Sequence, residues 1–479
     1  MLFNSLQFAF FFPLVTLLYF ALPHKLRWAL LLGASCIFYM AFIPSYILIL
    51  VATIIVDYIA GIYIEKEKGP KRRLYLIISI ITNIGFLAFF KYFNFLNSNV
   101  AAIAHFLDWN YSIEALSIIL PVGLSFHTFQ AMSYTIEVYR GTQKAEYHFG
   151  IYALYVMFYP QLVAGPIERP QNLIHQFYEK HTFDYQRVTD GLKLMLWGFF
   201  KKMVIADRLS LYVNQVYNNP DQYSGFPVLL ATYLFAFQIF CDFSGYSDIA
   251  IGSAKIMGFK LMDNFNTPYF AKTIKEFWKR WHISLSTWFR DYLYISLGGN
   301  RVIKWKMQFN LFIVFMISGL WHGANWTFVL WGSLHGFYII SAIWLKNIKV
   351  KINNFFNLDC SSKLIKVFDI FVTFHLVCLS WIFFRADTIS NAFKIIKNTF
   401  SFNSNFWNLN IPITINELAY SLFFIFLMEL IHFLQRKSSL IQVINQKSTA
   451  IRWLTYCIFI WLIFIFGEFG NQQFIYFQF

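Results

Sequence analysis

Eleven stretches of this chain are apolar for about 20 residues, the length a helix needs to cross roughly 30 Å of hydrocarbon, and no other feature narrows the fold as far. They run 5–22, 26–43, 45–64, 74–96, 113–136, 228–251, 308–325, 326–345, 366–385, 416–434 and 451–467. Such a chain cannot cover its surface with polar atoms. Of its 479 residues, 58% are hydrophobic and 13% charged, against roughly 45–50% and 25% in soluble domains. The expected solvent is a bilayer, and the expected fold is all-α: a multi-pass integral membrane protein with residues 1–479 as a single membrane domain. Met1 to Ala21 has no Lys or Arg ahead of it and no small-residue cleavage pattern behind it, so it reads as a span and not a signal peptide.

Two further stretches, 150–165 and 190–213, are ambiguous. The first ends in Tyr-Pro-Gln-Leu-Val-Ala-Gly-Pro-Ile-Glu-Arg-Pro, and the second carries Lys201, Lys202, Asp207 and Arg208. Both read as interfacial or re-entrant segments, which are allowed where backbone is buried in protein or lines a cavity.

The chain carries 39 Lys and Arg against 24 Asp and Glu, a net charge of +15, which in a soluble protein would suggest nucleic acid. Position argues otherwise. The basic residues cluster in short links between apolar runs, as in Glu65 to Arg73, where the positive-inside rule expects them. With 65–73 cytoplasmic, the Lys25 and Arg27 link is also cytoplasmic, the N-terminus lies outside, and the loop 97–112, free of Lys and Arg, is outside. Arg140 and Lys144, the segment Lys346 to Lys366, and Arg436, Lys437, Lys447 and Arg452 return to the cytoplasm. The last span then runs outward and leaves residues 468–479 as a short tail at the outer face. Cys36, Cys241, Cys360, Cys378 and Cys457 show no CxxC spacing, and all but Cys360 lie in or beside apolar runs. They suggest neither a disulfide framework nor a zinc site.

Two regions have the composition of a chemical site. Asn264 to Phe270 and Lys275 to Tyr292 are too charged to cross lipid alone and too aromatic for a plain loop. The stretch suits an interfacial amphipathic helix with Trp and Arg at the headgroups, or the wall of a cavity. The second region is Ser318 to Trp326, with His322 between Gly319 and Gly323, followed by Trp331 to Gly336 with His335. A histidine inside a span is a candidate functional group, or a structural one bonded between helices. Glycines on both sides admit a close neighbour or a substrate. On one continuous helix, His322 and His335 would point about 220° apart, there is no HExxH, and no carboxylate stands at ligand spacing, so no metal site is expected. No GxSxG follows a strand-like run. What remains is a neutral imidazole whose ordinary pKa of about 6.5 suits general-base work on a hydroxyl.

Lys279-Arg280-Trp281-His282-Ile283-Ser284-Leu285-Ser286-Thr287-Trp288-Phe289-Arg290-Asp291-Tyr292, the Leu297 to Arg301 turn, Gly319-Leu320-Trp321-His322-Gly323-Ala324 and Trp331 to Gly336 closely resemble the membrane-bound O-acyltransferase family. The branch holds the alginate and peptidoglycan O-acetylases and the teichoic acid D-alanyl transferase. The resemblance covers nearly the whole chain. It implies a helical bundle with re-entrant segments around a transmembrane tunnel, a thioester donor entering from the cytoplasm and an acceptor on the far side. His322 maps onto the family's catalytic histidine, His282 onto its second functional position, and His335 onto a further histidine of the branch. The end of the chain, Phe474-Ile475-Tyr476-Phe477-Gln478-Phe479, resembles a C-terminal motif associated with acyl relay; the same aromatics would also suit an interfacial belt.

The reading these features support is an inner-membrane O-acyltransferase that carries acetyl from acetyl-CoA to a cell-envelope polysaccharide, alginate-like or peptidoglycan. His322 activates the acceptor hydroxyl or Tyr476, and His282 positions the donor or polarises its carbonyl. Lys279, Arg280 and Arg301 are candidates to hold the CoA phosphates, or are ordinary cytoplasmic charges. A periplasmic acetyltransferase- or esterase-like partner completes transfer, and no cofactor is expected. The alternatives are D-alanyl-type transfer from a carrier-protein thioester and a non-enzymatic envelope-glycan transporter.

Overall fold

The structure, a computed structural model, describes residues 1–117, 121–355, 362–401, 413–435, 440–470 and 474–477. Cys360, Arg436, Lys437, Gln478 and Phe479, named above, lie outside the described residues. Helices account for the fold, with no strand among the described residues. Among the described residues, seven helical stretches are long and apolar enough to cross a membrane: Pro44–Lys66, Pro70–Phe106, Phe226–Met257, Trp326–Lys351, Lys363–Arg385, Ile415–Gln435 and Thr449–Phe466. The chain is a multi-pass membrane protein.

Several apolar runs fold differently from the expectation. Residues 113–117 are not helical; the helix there is Leu124–Arg140, which starts only after Pro121 and a left-handed Gly123, φ 76°. This helix is buried almost throughout, so it packs within protein. Leu6–Ala21 and His24–Met40, at 16 and 17 residues, are shorter than the other spans. Two compact units make up the fold, Met1–Leu196 with Tyr246–Met262 and Trp197–Gly245 with Asp263–Phe479.

In the first unit a polar knot ties three helices together. Asp57 on Ile47–Lys66 is fully buried and accepts from Ser79 Oγ at 2.6 Å and Asn83 Nδ2 at 2.8 Å, both on Pro70–Leu87. Ser79 also lies 2.9 Å from Thr135 Oγ1 on Leu124–Arg140. Each carboxyl oxygen has a donor, as a buried polar group requires.

The second unit is built on a helical hairpin, which we label α1 (Lys304–His322) and α2 (Trp326–Phe355). Its two backbones touch at glycine: a Cβ on Gly319 would lie 2.2 Å from Phe328 O, and one on Gly332 2.3 Å from Phe315 O. The space beside His322 is therefore filled by the partner helix. Gly319 admits the α2 backbone and Gly323 the Phe328 ring, not a substrate. Against the hairpin lies α3 (Lys363–Arg385), whose Trp381 stacks on Trp331 at 5.7 Å and meets Trp281 at 5.0 Å, all three buried.

The two polar segments resolve as interior structure. The 190–213 stretch is helical with a π segment at Phe200–Ala206, and Lys201, Lys202 and Asp207 are buried, so they are not interfacial charges. The 264–292 stretch breaks into a 3-10 turn, two short helices, Ile274–Arg280 and Ile283–Trp288, and a π segment from Phe289. Phe277, Trp278, Trp281, His282, Leu285, Trp288 and Phe289 are buried. A helix lying in the headgroup plane would expose one whole face; this segment is an interior wall.

Candidate functional site

His282 stands where the wall turns a corner. Its backbone is left-handed, φ 43° and ψ 56°, a conformation that costs an L residue roughly 1–2 kcal/mol and persists only where neighbours impose it. Asn264 imposes it. Its backbone oxygen accepts from Ile283 N–H at 2.9 Å, and its side-chain oxygen accepts from Ser284 N–H at 3.2 Å and Ser284 Oγ at 2.8 Å. The backbone donor fixes that side-chain atom as oxygen, an acceptor only. It lies 3.2 Å from His282 Nδ1, so Nδ1 carries the proton. Burial holds the imidazole well below its ordinary pKa, hence neutral, and Nε2 keeps its lone pair.

His322 is the last residue of α1 and is buried. Aromatic rings frame it: Trp321 at 4.9 Å, Trp331 at 5.0 Å and nearly perpendicular, Phe384 at 5.5 Å, with Tyr476 at 5.6 Å and His282 at 6.4 Å between centroids. The tail brings Tyr476 in on a 3-10 turn, Ile475–Phe477. Phe474 and Ile475 are buried, and the Tyr476 ring packs on Phe243 at 4.3 Å and lies 6.4 Å from His282. Its phenol is pushed above its usual range by burial and then by Asp242. Three residues far apart in sequence thus share one aromatic chamber.

His335 belongs to a different layer. Trp278 Nε1 can only donate, and it lies 3.2 Å from His335 Nδ1, so Nδ1 accepts. His335 Nε2 then donates to Ser380 Oγ at 3.0 Å, and Ser380 donates on to Val377 O at 2.8 Å. Both ring nitrogens are used in holding the wall, the hairpin and α3 together. The three basic candidates also separate. Arg280 is committed to Glu276, at 2.8 Å, and to Thr267 Oγ1 at 3.1 Å, which braces the wall; Lys279 and Arg301 are exposed. No three His, Cys, Asp or Glu side chains gather at metal-ligand spacing among the described residues.

Sequence reading missed the residues that hold the chamber. Asn264 was legible only as part of a polar-aromatic run, and its pairing with His282 spans 18 residues. Asp242 sits inside an apolar span, itself a signal, and its Oδ2 accepts from Ile475 N–H at 2.7 Å.

A family model described as MBOAT, the membrane-bound O-acyltransferase family, matches residues 145–383. A probable alginate O-acetylase of Azotobacter vinelandii is 37% identical over 417 residues, covering 86% of this chain and 80% of the relative. A peptidoglycan O-acetyltransferase of Helicobacter pylori is 34% identical over 438 residues, 84% of this chain and 80% of the relative. A teichoic acid D-alanyltransferase of Streptococcus thermophilus is 31% identical over 294 residues, 55% of this chain and 68% of the relative. His282, His322 and His335 fall inside the matched family region; Tyr476 lies beyond it.

Proposed function

The chain belongs to the membrane-bound O-acyltransferase family and is an O-acyltransferase, and from that premise we propose that it transfers acetyl from cytoplasmic acetyl-CoA across the inner membrane to hydroxyls of an envelope polysaccharide, alginate-like or peptidoglycan. The observation that carries this reading is the convergence of His322, His282 and the Tyr476 ring in one buried aromatic chamber. The relatives named for O-acetylation span more of this chain than the D-alanyltransferase does, which favours acetyl over D-alanyl.

The step is a transesterification through Tyr476. A phenol is a poor nucleophile until a base takes its proton. His322 takes it as Tyr476 Oη attacks the thioester carbonyl, the C–S bond breaks, and the departing thiolate receives the proton back from His322. The acetyl then sits on Oη. An acceptor hydroxyl attacks that ester as its proton passes to His322, the acyl–Oη bond breaks, and the departing phenolate takes the proton back from His322, which restores the phenol. At the C-terminal end of α1, His322 lies at the negative end of the helix dipole, which steadies the cation it becomes.

His282 takes a role other than polarising the donor carbonyl. With Nδ1–H turned to Asn264, its Nε2 can accept but cannot donate. It orients a hydroxyl, the phenol or the acceptor. Lys279 and Arg301, with exposed heads, remain the candidates for the CoA phosphates. A thioester is already activated, so the proposed chemistry calls for no resident cofactor or metal. A periplasmic acetyltransferase- or esterase-like partner takes acetyl to the polymer.

The test compares base-labile esters on purified peptidoglycan and exopolysaccharide from cells carrying the native protein or His322→Ala, with membrane levels matched. The expected result is one glycan losing its ester in the variant, which also names the acceptor. Unchanged esters on both would remove envelope-glycan acetylation as the function.

A further inference from the structure

A buried ion cluster of the second unit has no part in the chemistry above. Lys202 Nζ lies 2.6 Å from Asp242 Oδ1 and 2.7 Å from Asp207 Oδ1, and all three side chains are about 95% buried or more. Two features seat it. The π segment Phe200–Ala206 inserts an extra residue and turns Lys201 to Ser244 Oγ, 2.9 Å away, and Lys202 to the carboxylates; such π segments recur at functional sites. Gly245 lets the Asp242 helix come close, since a Cβ there would lie 2.8 Å from Gly198 O and 3.1 Å from Lys202 N.

A cluster that only joined two helices would be better replaced by apolar side chains, because desolvating three charges consumes most of their attraction. This one has a further contact. Asp242 uses Oδ1 for Lys202 and turns Oδ2 to the backbone N–H of Ile475, 2.7 Å away, the residue before Tyr476. The same stretch fastens the other end of the tail: Glu468 N–H donates to Met203 O at 3.0 Å, Arg208 Nη2 donates to Phe466 O at 2.8 Å, and Arg208 lies 3.4 Å from Glu468. The tail is therefore held at both ends by residues 202–208 and Asp242.

We propose that Asp242, held by Lys202, is a positioning residue that clamps the C-terminal turn and presents Tyr476 to His322. The proposal rests on the relay reading of Tyr476. Lys202 fixes the carboxylate, the carboxylate fixes one backbone amide, and that amide sets the register of the 3-10 turn. A phenol displaced by about 1 Å from its attack position loses on the order of 100-fold in rate.

The test uses purified full-length protein in lipid nanodiscs and acetyl-CoA as the probe. It follows single-turnover acetylation of Tyr476 by mass spectrometry and amide exchange of residues 474–477. Asp242→Ala removes the clamp. Ile475→Pro deletes the donated N–H and leaves the ion cluster intact, at the first position of a 3-10 turn where proline fits; it decides the matter if Asp242→Ala does not fold. Each is expected to lower the single-turnover rate constant about 100-fold with the amplitude of Tyr476 acetylation preserved, whereas mere loss of folded protein lowers the amplitude and leaves the rate constant unchanged. Asp242→Asn, which keeps an oxygen for the amide, recovers part of the rate. Tail amides exchange faster in Asp242→Ala. Native acetylation rates in Ile475→Pro, or unchanged tail exchange in Asp242→Ala, overturn the clamp. If native protein never acetylates Tyr476, the relay reading fails, and exchange alone upholds or overturns the clamp.

Discussion

Two histidines of the same hairpin sit a few ångströms from one indole: the Trp331 ring lies 5.0 Å from His322 and 5.1 Å from His335. Both are buried, yet their surroundings differ in kind. His335 is one link in a chain from Trp278 N–H through Ser380 to Val377 O, each nitrogen used. His322 is walled by aromatic rings and faces a phenol delivered from the far end of the sequence. Burial of a histidine therefore does not mark a site. What marks it is whether a reactive group is brought to the ring.

The contrast breaks most sharply at His322. His322→Ala is expected to lower acetyl transfer about 10⁴-fold, measured as glycan ester per unit of membrane protein, with protein level and localisation normal. Tyr476→Phe keeps the ring and removes the nucleophile; a loss of about 10³-fold is expected. The double variant His322→Ala/Tyr476→Phe falls no lower than His322→Ala alone, because the two act as one unit. Additive losses would separate them. Asn264→Ala frees the His282 ring and its left-handed backbone, and about 30-fold lower turnover is expected, with donor KM unchanged.

The smallest effect on chemistry belongs to His335. His335→Leu leaves the Trp278 N–H without an acceptor, for about 1–3 kcal/mol of stability, seen as a lower Tm in detergent. Turnover per folded molecule stays within about twofold. A collapse of turnover at native Tm would place His335 in the chemistry and erase the distinction.

Most of the membrane fold was legible because apolar length reports it directly. Spans such as 45–64, 228–251 and 366–385 match helices within a few residues at most ends. The run 113–136 misled because hydropathy is blind to backbone. Pro121 and the left-handed Gly123 delay the helix to Leu124, and the buried helix that follows packs in protein. Charge misled for a related reason. Lys201, Lys202 and Asp207 left interfacial and re-entrant readings open, since the partners that bury them, Asp242 for Lys202 and Ser244 for Lys201, lie far along the chain inside an apolar run.

His322 stood out as a histidine inside an apolar run, motif resemblance gave it a role and added His282, and spacing alone did not bring the two together. They are 40 residues apart, and Tyr476 comes another 154 later. Only the hairpin, the wall turn at Asn264 and the fastened tail gather them. The glycines flanking His322 read as room for a close neighbour or a substrate, and the neighbours, a backbone and a ring, fill it.

The most direct test of the account is the acetylation state of Tyr476. Native protein and His322→Ala, incubated with acetyl-CoA and quenched within one turnover, are digested and the C-terminal peptide weighed. The account predicts an acetyl ester on Tyr476 in the native protein and none in His322→Ala. An unmodified Tyr476 in native protein that still acetylates its glycan, or equal modification in both proteins, would contradict it.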